Sequence, residues 1–462
     1  MKIRFAVVAS ALAVATALPA ADFQVGTGTT FAISGFVGLG LKQATIGSSI
    51  RPGLSSETRI DDNTSRIAFS GSAKIADGWN VIFMIGSRFT TDVRPGDKVL
   101  GDTVAAGNTL SVGQASGWAD DDTWAGISSP YGTIIMGKNS FYWPDTISLG
   151  HLAPSLEAPG ESYRVWDANG LTTFNILDQA PSLTKTTLLL NNYTLGITRS
   201  RNVIRYNSIN FSGVDFSLAY TKNAVAGEVW YPGMNTPNSA APLNGVYTKG
   251  YSDGGTTYAR IRYNGKGLSL FASYLDQKIQ GGVYTPAAYT GPLDTKGYRL
   301  GASYKFGFGL KLGVVYDSTE LANGISGTGI SAYTSWNATT NAPVLGVITP
   351  VGSIATGSAK RDAYELAASY PYGDHLFHLT YGKAGNVSSI GATGANQLNV
   401  VWDYALTKKT FLGLVYTSLS NDSNGHYAPF LTGYTFGASN PNPAGFNGEK
   451  WSQIGLNLHF WF

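Results

Sequence analysis

The chain is expected to fold as an all-β protein, a transmembrane antiparallel β-barrel of about 16 strands. Three observations predict this: the composition, an alternation of period two from residue 29 to the end, and connections that are short and long in turn.

Composition sets the class. Charged residues make up only 13% of the 462, whereas Gly counts 57, Tyr 26, Phe 21 and Trp 10. Mean hydropathy is -0.03. A disordered chain needs high charge and few aromatics, and an ordinary soluble domain carries about 25% charge. A strand with one face in lipid and the other in water averages to near-zero hydropathy, as here. Cys is 0, so no disulfide contributes to stability.

The N-terminus reads as an export signal. Lys2 and Arg4 precede an apolar run from Phe5 to Leu18, which ends among Ala15-Thr16-Ala17 and Ala20-Ala21. The run falls short of the ~20 apolar residues a spanning helix needs. Residues 1–21 are therefore expected to be removed, leaving 22–462 as a single barrel domain. Losing Lys2 and Arg4 takes the formal charge from +3 to +1, which gives no reason to expect a nucleic-acid partner.

The alternation is explicit. Val214, Phe216, Leu218 and Tyr220 share one face, and Asp215, Ser217, Ala219 and Thr221 the other. The same pattern recurs in Leu268-Leu270-Ala272-Tyr274, Leu310-Leu312-Val314-Tyr316, Phe377-Leu379-Tyr381 and Thr410-Leu412-Leu414-Tyr416. Each of these strands closes on a Tyr. The strands before them end near Tyr206, Tyr263, Tyr304 with Phe306, Tyr370, and Trp402 with Tyr404. Two aromatic rows thus bracket the apolar face, as at two membrane interfaces.

Short connections are read at Ala76-Asp77-Gly78, Pro130-Tyr131-Gly132, Asn207 to Ser212, Gly265-Lys266-Gly267, Gly307-Phe308-Gly309, Pro371 to Asp374 and Thr407-Lys408-Lys409. Long Gly-, Asn-, Ser-, Thr- and Pro-rich stretches separate them: roughly 43–62, 90–121, 139–200, 222–256, 277–295, 318–361, 383–395 and 418–450. The hairpins, with 29–42 and 451–462 added, give the strand count and put both termini on the short-turn side. The sheet must close, because an open edge in hydrocarbon would leave unpaired N–H and C=O groups.

Four segments resemble the trimeric general porins of β- and γ-proteobacteria, including neisserial and Comamonas-type porins. Asn63-Thr64-Ser65-Arg66-Ile67-Ala68-Phe69-Ser70-Gly71 is similar to that family's second strand. Tyr131-Gly132-Thr133 to Met136-Gly137-Lys138 is similar to the strand entering its constriction loop. Asn202 to Ser208 with Phe211-Ser212-Gly213, and Asp403 to Thr410, resemble two of its later hairpins. The resemblance implies an outer-membrane channel for passive diffusion of small ions and solutes. It also implies a homotrimer, contact with outer-membrane lipid and lipopolysaccharide, and a third loop folded into the lumen. The 90–121 stretch is then a candidate to reach over a neighbouring subunit.

Strand parity places Arg66, Lys74, Arg88, Arg205, Arg260, Arg262, Arg299, Lys305 and Lys311 on the inner wall, against Asp215, Asp317, Glu365 and Asp403. Lys138, where the long 139–200 stretch begins, joins the basic pore-lining set. That stretch is too long for an ordinary connection and is read as the constriction loop. It carries Asp145, Glu157, Glu161, Asp167 and Asp178, of which Asp145, Glu157 and Glu161 are candidates for the narrowest point. A basic wall in a narrow lumen concentrates anions, so weak anion selectivity is expected.

No cofactor or metal is expected. The five His (His151, His375, His378, His426, His459) show neither metal-ligand spacing nor a nucleophile beside them, so an enzyme is not expected. Asp120-Asp121-Asp122 could hold a divalent cation but reads more simply as a solvated rim. The alternatives to a diffusion channel are a substrate-specific uptake channel of about 18 strands and a non-conducting structural or adhesive barrel.

Overall fold

A computed structural model describes residues 21–24, 28–47, 56–62, 65–89, 119, 121–142, 144–145, 200–222, 255–278, 295–325, 330–337, 339, 342–348, 357–388, 391–425 and 448–462. The strands are β1 (Ala21–Gln24), β2 (Thr29–Gly47), β3 (Ser56–Asp62), β4 (Arg66–Ala76), β5 (Trp79–Arg88), β6 (Thr123–Ser129) and β7 (Gly132–Asn139). Next come β8 (Ser200–Ser208), β9 (Val214–Lys222), β10 (Gly255–Gly265), β11 (Leu268–Lys278), β12 (Thr295–Lys305) and β13 (Lys311–Ile325). The chain continues with β14 (Ile330–Asn337), β15 (Ala342–Ile348), β16 (Gly357–Tyr372), β17 (His375–Ala384), β18 (Ala395–Thr407), β19 (Thr410–Asn421) and β20 (Lys450–Trp461).

Neighbours in the barrel pair antiparallel, and the sheet closes where β2 meets β20, from Phe36 opposite Trp461 to Gly47 opposite Lys450. β3 and β4 pair with successive parts of β2 and form one barrel strand, interrupted near residue 64. Beside that interruption Ser65 Oγ accepts the Gly38 N–H at 3.1 Å, which satisfies this donor of β2 from a side chain. Counted this way the barrel has sixteen strands. β1 lies along β2, Ala21 opposite Ile33, beyond the point where β20 ends.

All seven expected short turns are present, several with glycine in the left-handed region. Gly78 has φ 77°, Gly267 83° and Gly309 102°, conformations that other residues adopt only with strain. Two long connections are shorter than expected. β2 and β3 pair through Thr45 and Ser56, within the expected 43–62 loop. β13 and β16 run on to Ile325 and from Gly357, and β14 pairs with β15 as a separate hairpin inside the expected 318–361 loop. Hairpins projecting from the membrane need no lipid-facing row, so their strands lack the alternation that marks the rest.

The outward side chains include Leu218, Tyr220, Leu300, Leu312, Val314, Leu366, Leu379, Leu414 and Leu456, all exposed. So continuous an apolar surface is unusual on a water-soluble protein and fits a hydrocarbon belt. Tyr304, Tyr370 and Phe377 rim it on the short-turn side, and Tyr220, Tyr274 and Tyr416 on the other. The interior is polar. Inward positions carry Arg205, Asp215, Arg299, Asp317, Glu365, Asn399, Asp403 and Asn457, all buried within the barrel.

Candidate functional site

The inner wall from β8 to β16 gathers most of the expected charged residues. Register sets Arg260 opposite Ser217 on β9 and Ser273 on β11, and Arg299 opposite Ser273 and Asp317. Small serines between the arginines leave room for their forks to reach sideways to carboxylates. Arg260 and Arg262 both reach Asp215, at 3.4 and 2.9 Å. Arg299 and Arg361 both reach Asp317, at 3.0 and 3.4 Å. Each carboxylate therefore serves two guanidiniums, and the local balance stays positive. Arg205 differs. It donates to Asn207 Oδ1, Ser217 Oγ, Asn139 Oδ1 and the Ser140 carbonyl, all neutral.

The chain leaving β7 turns into this wall. Phe141, Tyr142 and Asp145 are fully buried. Phe141 packs on Tyr258 with ring centroids 5.2 Å apart. The Tyr142 ring lies under Arg299, 4.5 Å from Cζ, and its hydroxyl donates to Asp317 Oδ2 at 3.2 Å. Arg299 in turn donates to the Tyr142 carbonyl at 3.1 Å. Asp145 accepts from the Tyr258 hydroxyl at 2.8 Å and from Arg260 at 3.3 Å. Burial first, and then the Asp317 charge, push the Tyr142 phenol well above its ordinary range, so it remains a donor. Tyr142 itself has φ 65°, a strained conformation that these contacts hold in place. Gly297 makes room for it, since a Cβ there would stand 2.6 Å from the Tyr142 hydroxyl.

The other expected residues are more scattered. Arg66 stands over the Phe36 ring at 5.0 Å, on β4. Lys74 pairs with Asp77 at a short turn, and Lys305 lies opposite Lys311 at the short-turn end. Arg88 lies opposite Arg66 in register, and its side chain is outside the described ones. Lys138 departs from its expected place. It alternates with the exposed Ile134 and Met136, on the parity opposite to Asn139, and its ammonium donates to the Ala119 carbonyl. The strand parity of β7, together with the register shift between Gly137 and Asn139, takes it off the inner row. Glu157, Glu161, Asp167 and Asp178 lie outside the described residues. Of the three rim aspartates, Asp122 accepts from Ser140, Asp121 caps the Asp122 N–H, and Asp120 is outside the described residues.

Sequence reasoning missed Arg361, assigned to a loop, and Lys42, which is buried on the inner face of β2. It also missed Tyr142 and Tyr258. Tyr258 shares the parity of Arg260 and Arg262, and that alternation could have found it.

A closed barrel with an apolar belt, a charged interior and an inward-turned segment is a transmembrane channel. The chain belongs to the Gram-negative porin family, whose profile matches residues 6–424, and it is accordingly a channel of the outer membrane. The fold is similar to that of the anion-selective porin from Comamonas acidovorans, with a TM-score of 0.59 and 17% identity over 94% of this chain and 100% of that one. It is also similar to OmpT of Vibrio cholerae (TM-score 0.52, 10% identity, 95% of this chain and 100% of that one). Salmonella typhi OmpF in complex with daunomycin gives TM-score 0.51 and 13% identity over 95% of this chain and 100% of that one. No curated protein matches the sequence.

Proposed function

We propose that this channel passes small hydrophilic solutes by diffusion with a weak preference for anions. The observation that carries it is the charge arrangement around the inward segment. Five guanidiniums (Arg205, Arg260, Arg262, Arg299, Arg361) stand against four inward carboxylates (Asp145, Asp215, Asp317, Glu365), and Arg205 bonds only neutral groups. Arginine keeps its charge at any working pH. The porin of similar fold from Comamonas acidovorans is anion-selective, which supports the same reading here. Lumen water and salt screen the field over about 8 Å at physiological ionic strength, so the preference is modest and fades as salt rises.

The reversal potential of the reconstituted channel in a KCl gradient is expected to show anion preference at low salt. Replacing Arg205 and Arg66 by Ser shifts it toward cations. A clear cation preference of the unmodified channel at low salt overturns the reading.

The sixteen-strand count argues against the eighteen-strand uptake channel. Steady conductance separates a diffusion channel from a non-conducting barrel. A catalytic role gains no support from the described residues, where His375 accepts from Trp402 Nε1 and His378 and His459 are buried in the barrel.

We further infer self-association as a homotrimer in lipid and lipopolysaccharide. The V. cholerae OmpT structure of similar fold is described as a trimer form. The expected outcome is a species of three subunits in mild detergent that heating converts to monomer, and migration only as a monomer counts against it. The export signal is proposed to be cleaved just before the segment that lies along β2, close to Ala21, and the mass of the mature protein tests this.

A further inference from the structure

The arginine wall runs down to the short-turn mouth, where its chemistry changes. On β12 the inward row descends from Arg299 through Gly301 and Ser303 to Lys305, while Tyr298, Leu300 and Tyr304 alternate with it toward lipid. On β13 Lys311 shares the inward parity of Val315 and Asp317, and on β16 Ser369 shares that of Ala367 and Glu365. Register sets Lys305 opposite Lys311 and Lys311 opposite Ser369. Lys305 is exposed, and Lys311 and Ser369 are half-buried, so this group is open to the water of the mouth.

Like charges set directly opposite across an antiparallel pair lie ~5 Å apart at Cβ and repel. Among the described residues of the adjacent strands, the inward carboxylates stand well away. Glu365 is level with Val315, four residues up the wall from Lys311, which is about 13 Å of strand. Asp317 lies two residues beyond Val315 and is already shared by Arg299 and Arg361. Asp374 is exposed in the turn that follows β16. The pair cannot relax by moving its strands, because aromatic rings pin the hairpin on the lipid side. Tyr304 meets Phe306 edge-on with centroids 5.0 Å apart, Phe306 stacks on Phe308 at 5.5 Å, and the Lys305 N–H donates to the Gly267 carbonyl at 2.9 Å. At Gly307, in the turn between the lysines, a Cβ would meet nothing within 4 Å, so the rim beside them is open.

We propose that Lys305, Lys311 and Ser369 form a binding site for a phosphate dianion, free or as the monoester of a small solute, at the periplasmic mouth. The short turns of such barrels face the periplasm, so this is the last wall an incoming anion passes. Each ammonium offers three donors and no acceptor, and the serine hydroxyl adds one more donor. A tetrahedral dianion brings oxygens in several directions and two charges, enough to answer both lysines at once. Chloride or a single carboxylate answers one. Lysine binds phosphate as a point charge on a flexible stem, so two stems fixed at neighbouring Cα atoms can close on one phosphoryl group without a preshaped pocket. Because the site is open to water its hold is shallow, and the anion is released to the periplasm.

The site deepens the anion preference proposed above, on which it rests for the anion's passage through the barrel, and the experiment reads the two apart. In a planar bilayer with symmetric KCl, at a pH where inorganic phosphate is mainly a dianion, added phosphate is expected to lower the single-channel chloride current along a saturating curve. Methanesulfonate, a tetrahedral monoanion, is expected to show no saturation at matched ionic strength. Lys305→Gln and Lys311→Gln should each raise the half-effective phosphate concentration about tenfold, because each removes one unit charge facing a dianion at close range. Arg205→Ser shifts the KCl reversal potential but should leave that concentration where it was, which separates the mouth from the arginine wall. Lys305 is exposed, so Lys305→Gln decides alone should the other variant fail to insert. A current that falls equally with phosphate and methanesulfonate overturns the site even where the channel prefers anions, since the mouth then only screens charge. An unchanged half-effective concentration in the lysine variants places the phosphate elsewhere and overturns it too. Cation preference together with a lysine-dependent phosphate effect upholds the site and removes only the earlier reading.

Discussion

Replacing Asp317 by Ala is expected to lower the thermal stability of the barrel and widen the channel in one step. Asp317 is fully buried and is the shared acceptor of Arg299, Arg361 and the Tyr142 hydroxyl. Removing one partner of a buried ion pair costs about 3–5 kcal/mol, because the remaining charge is left uncompensated. Lumen water can rehydrate part of that charge, so the lower end of the range applies. The second consequence concerns Tyr142, whose positive φ is held by its contacts with Asp317 and Arg299. Without Asp317 the segment after β7 loses the acceptor of its Tyr142 hydroxyl, while Asp145 on Tyr258 and Arg260, and Arg299 on the Tyr142 carbonyl, still hold it. Single-channel conductance should rise and anion preference sharpen, since two arginines lose their only shared carboxylate. Tyr142→Phe keeps the ring under Arg299 and should show a smaller rise with little loss of stability. Lower stability with unchanged conductance in Asp317→Ala would falsify the idea that this contact sets the width of the pore.

The fold was legible because it is written in local rules. A turn such as Gly265-Lys266-Gly267 announces itself within three residues, and Gly267 takes the left-handed φ that the turn needs. The inward parity of Arg205, Arg260 and Arg299 follows from counting by two along strands that lipid forces to alternate. The candidate site was only half legible, since its defining contacts are not local. Tyr142 meets Asp317 across 175 residues, and Asp145 meets Tyr258 across 113. No period or spacing in a single sequence encodes which loop side chain lands on which strand. Arg361 escaped because β16 projects past the lipid belt, where nothing enforces a clean apolar row. Lys138 was misplaced for the opposite reason. Proximity to the long segment suggested the lumen, while the parity of Ile134 and Met136 in the same strand already pointed outward.

Gly35→Val is expected to abolish recovery of folded barrel, the largest effect of any single substitution considered. Gly35 sits at the seam where the first long strand meets the end of the last. Its N–H donates to the Phe462 carbonyl at 3.1 Å, and the Phe462 N–H returns a bond to Gly35 at 3.0 Å. A Cβ at this position would lie 2.3 Å from the Arg66 carbonyl oxygen and 2.8 Å from Phe462 Cζ. The terminal ring can rotate away, but the Arg66 oxygen belongs to the backbone of the neighbouring strand and can move only with the sheet. The substitution therefore opposes both pairings of β2 at one point, the seam with the chain end and the ladder with β4. A barrel tolerates this poorly because an unclosed seam exposes unpaired backbone groups to hydrocarbon at several kcal/mol each. The measurement is the fraction of protein that resists unfolding in detergent without heating, after refolding into micelles. Gly35→Ala should fold in part, and Gly35→Val essentially not at all. Phe462→Ala on top of Gly35→Val should not rescue folding, since it relieves only the side-chain clash. Rescue by that second change would show that the terminal ring, and not the Arg66 backbone, sets the limit at the seam.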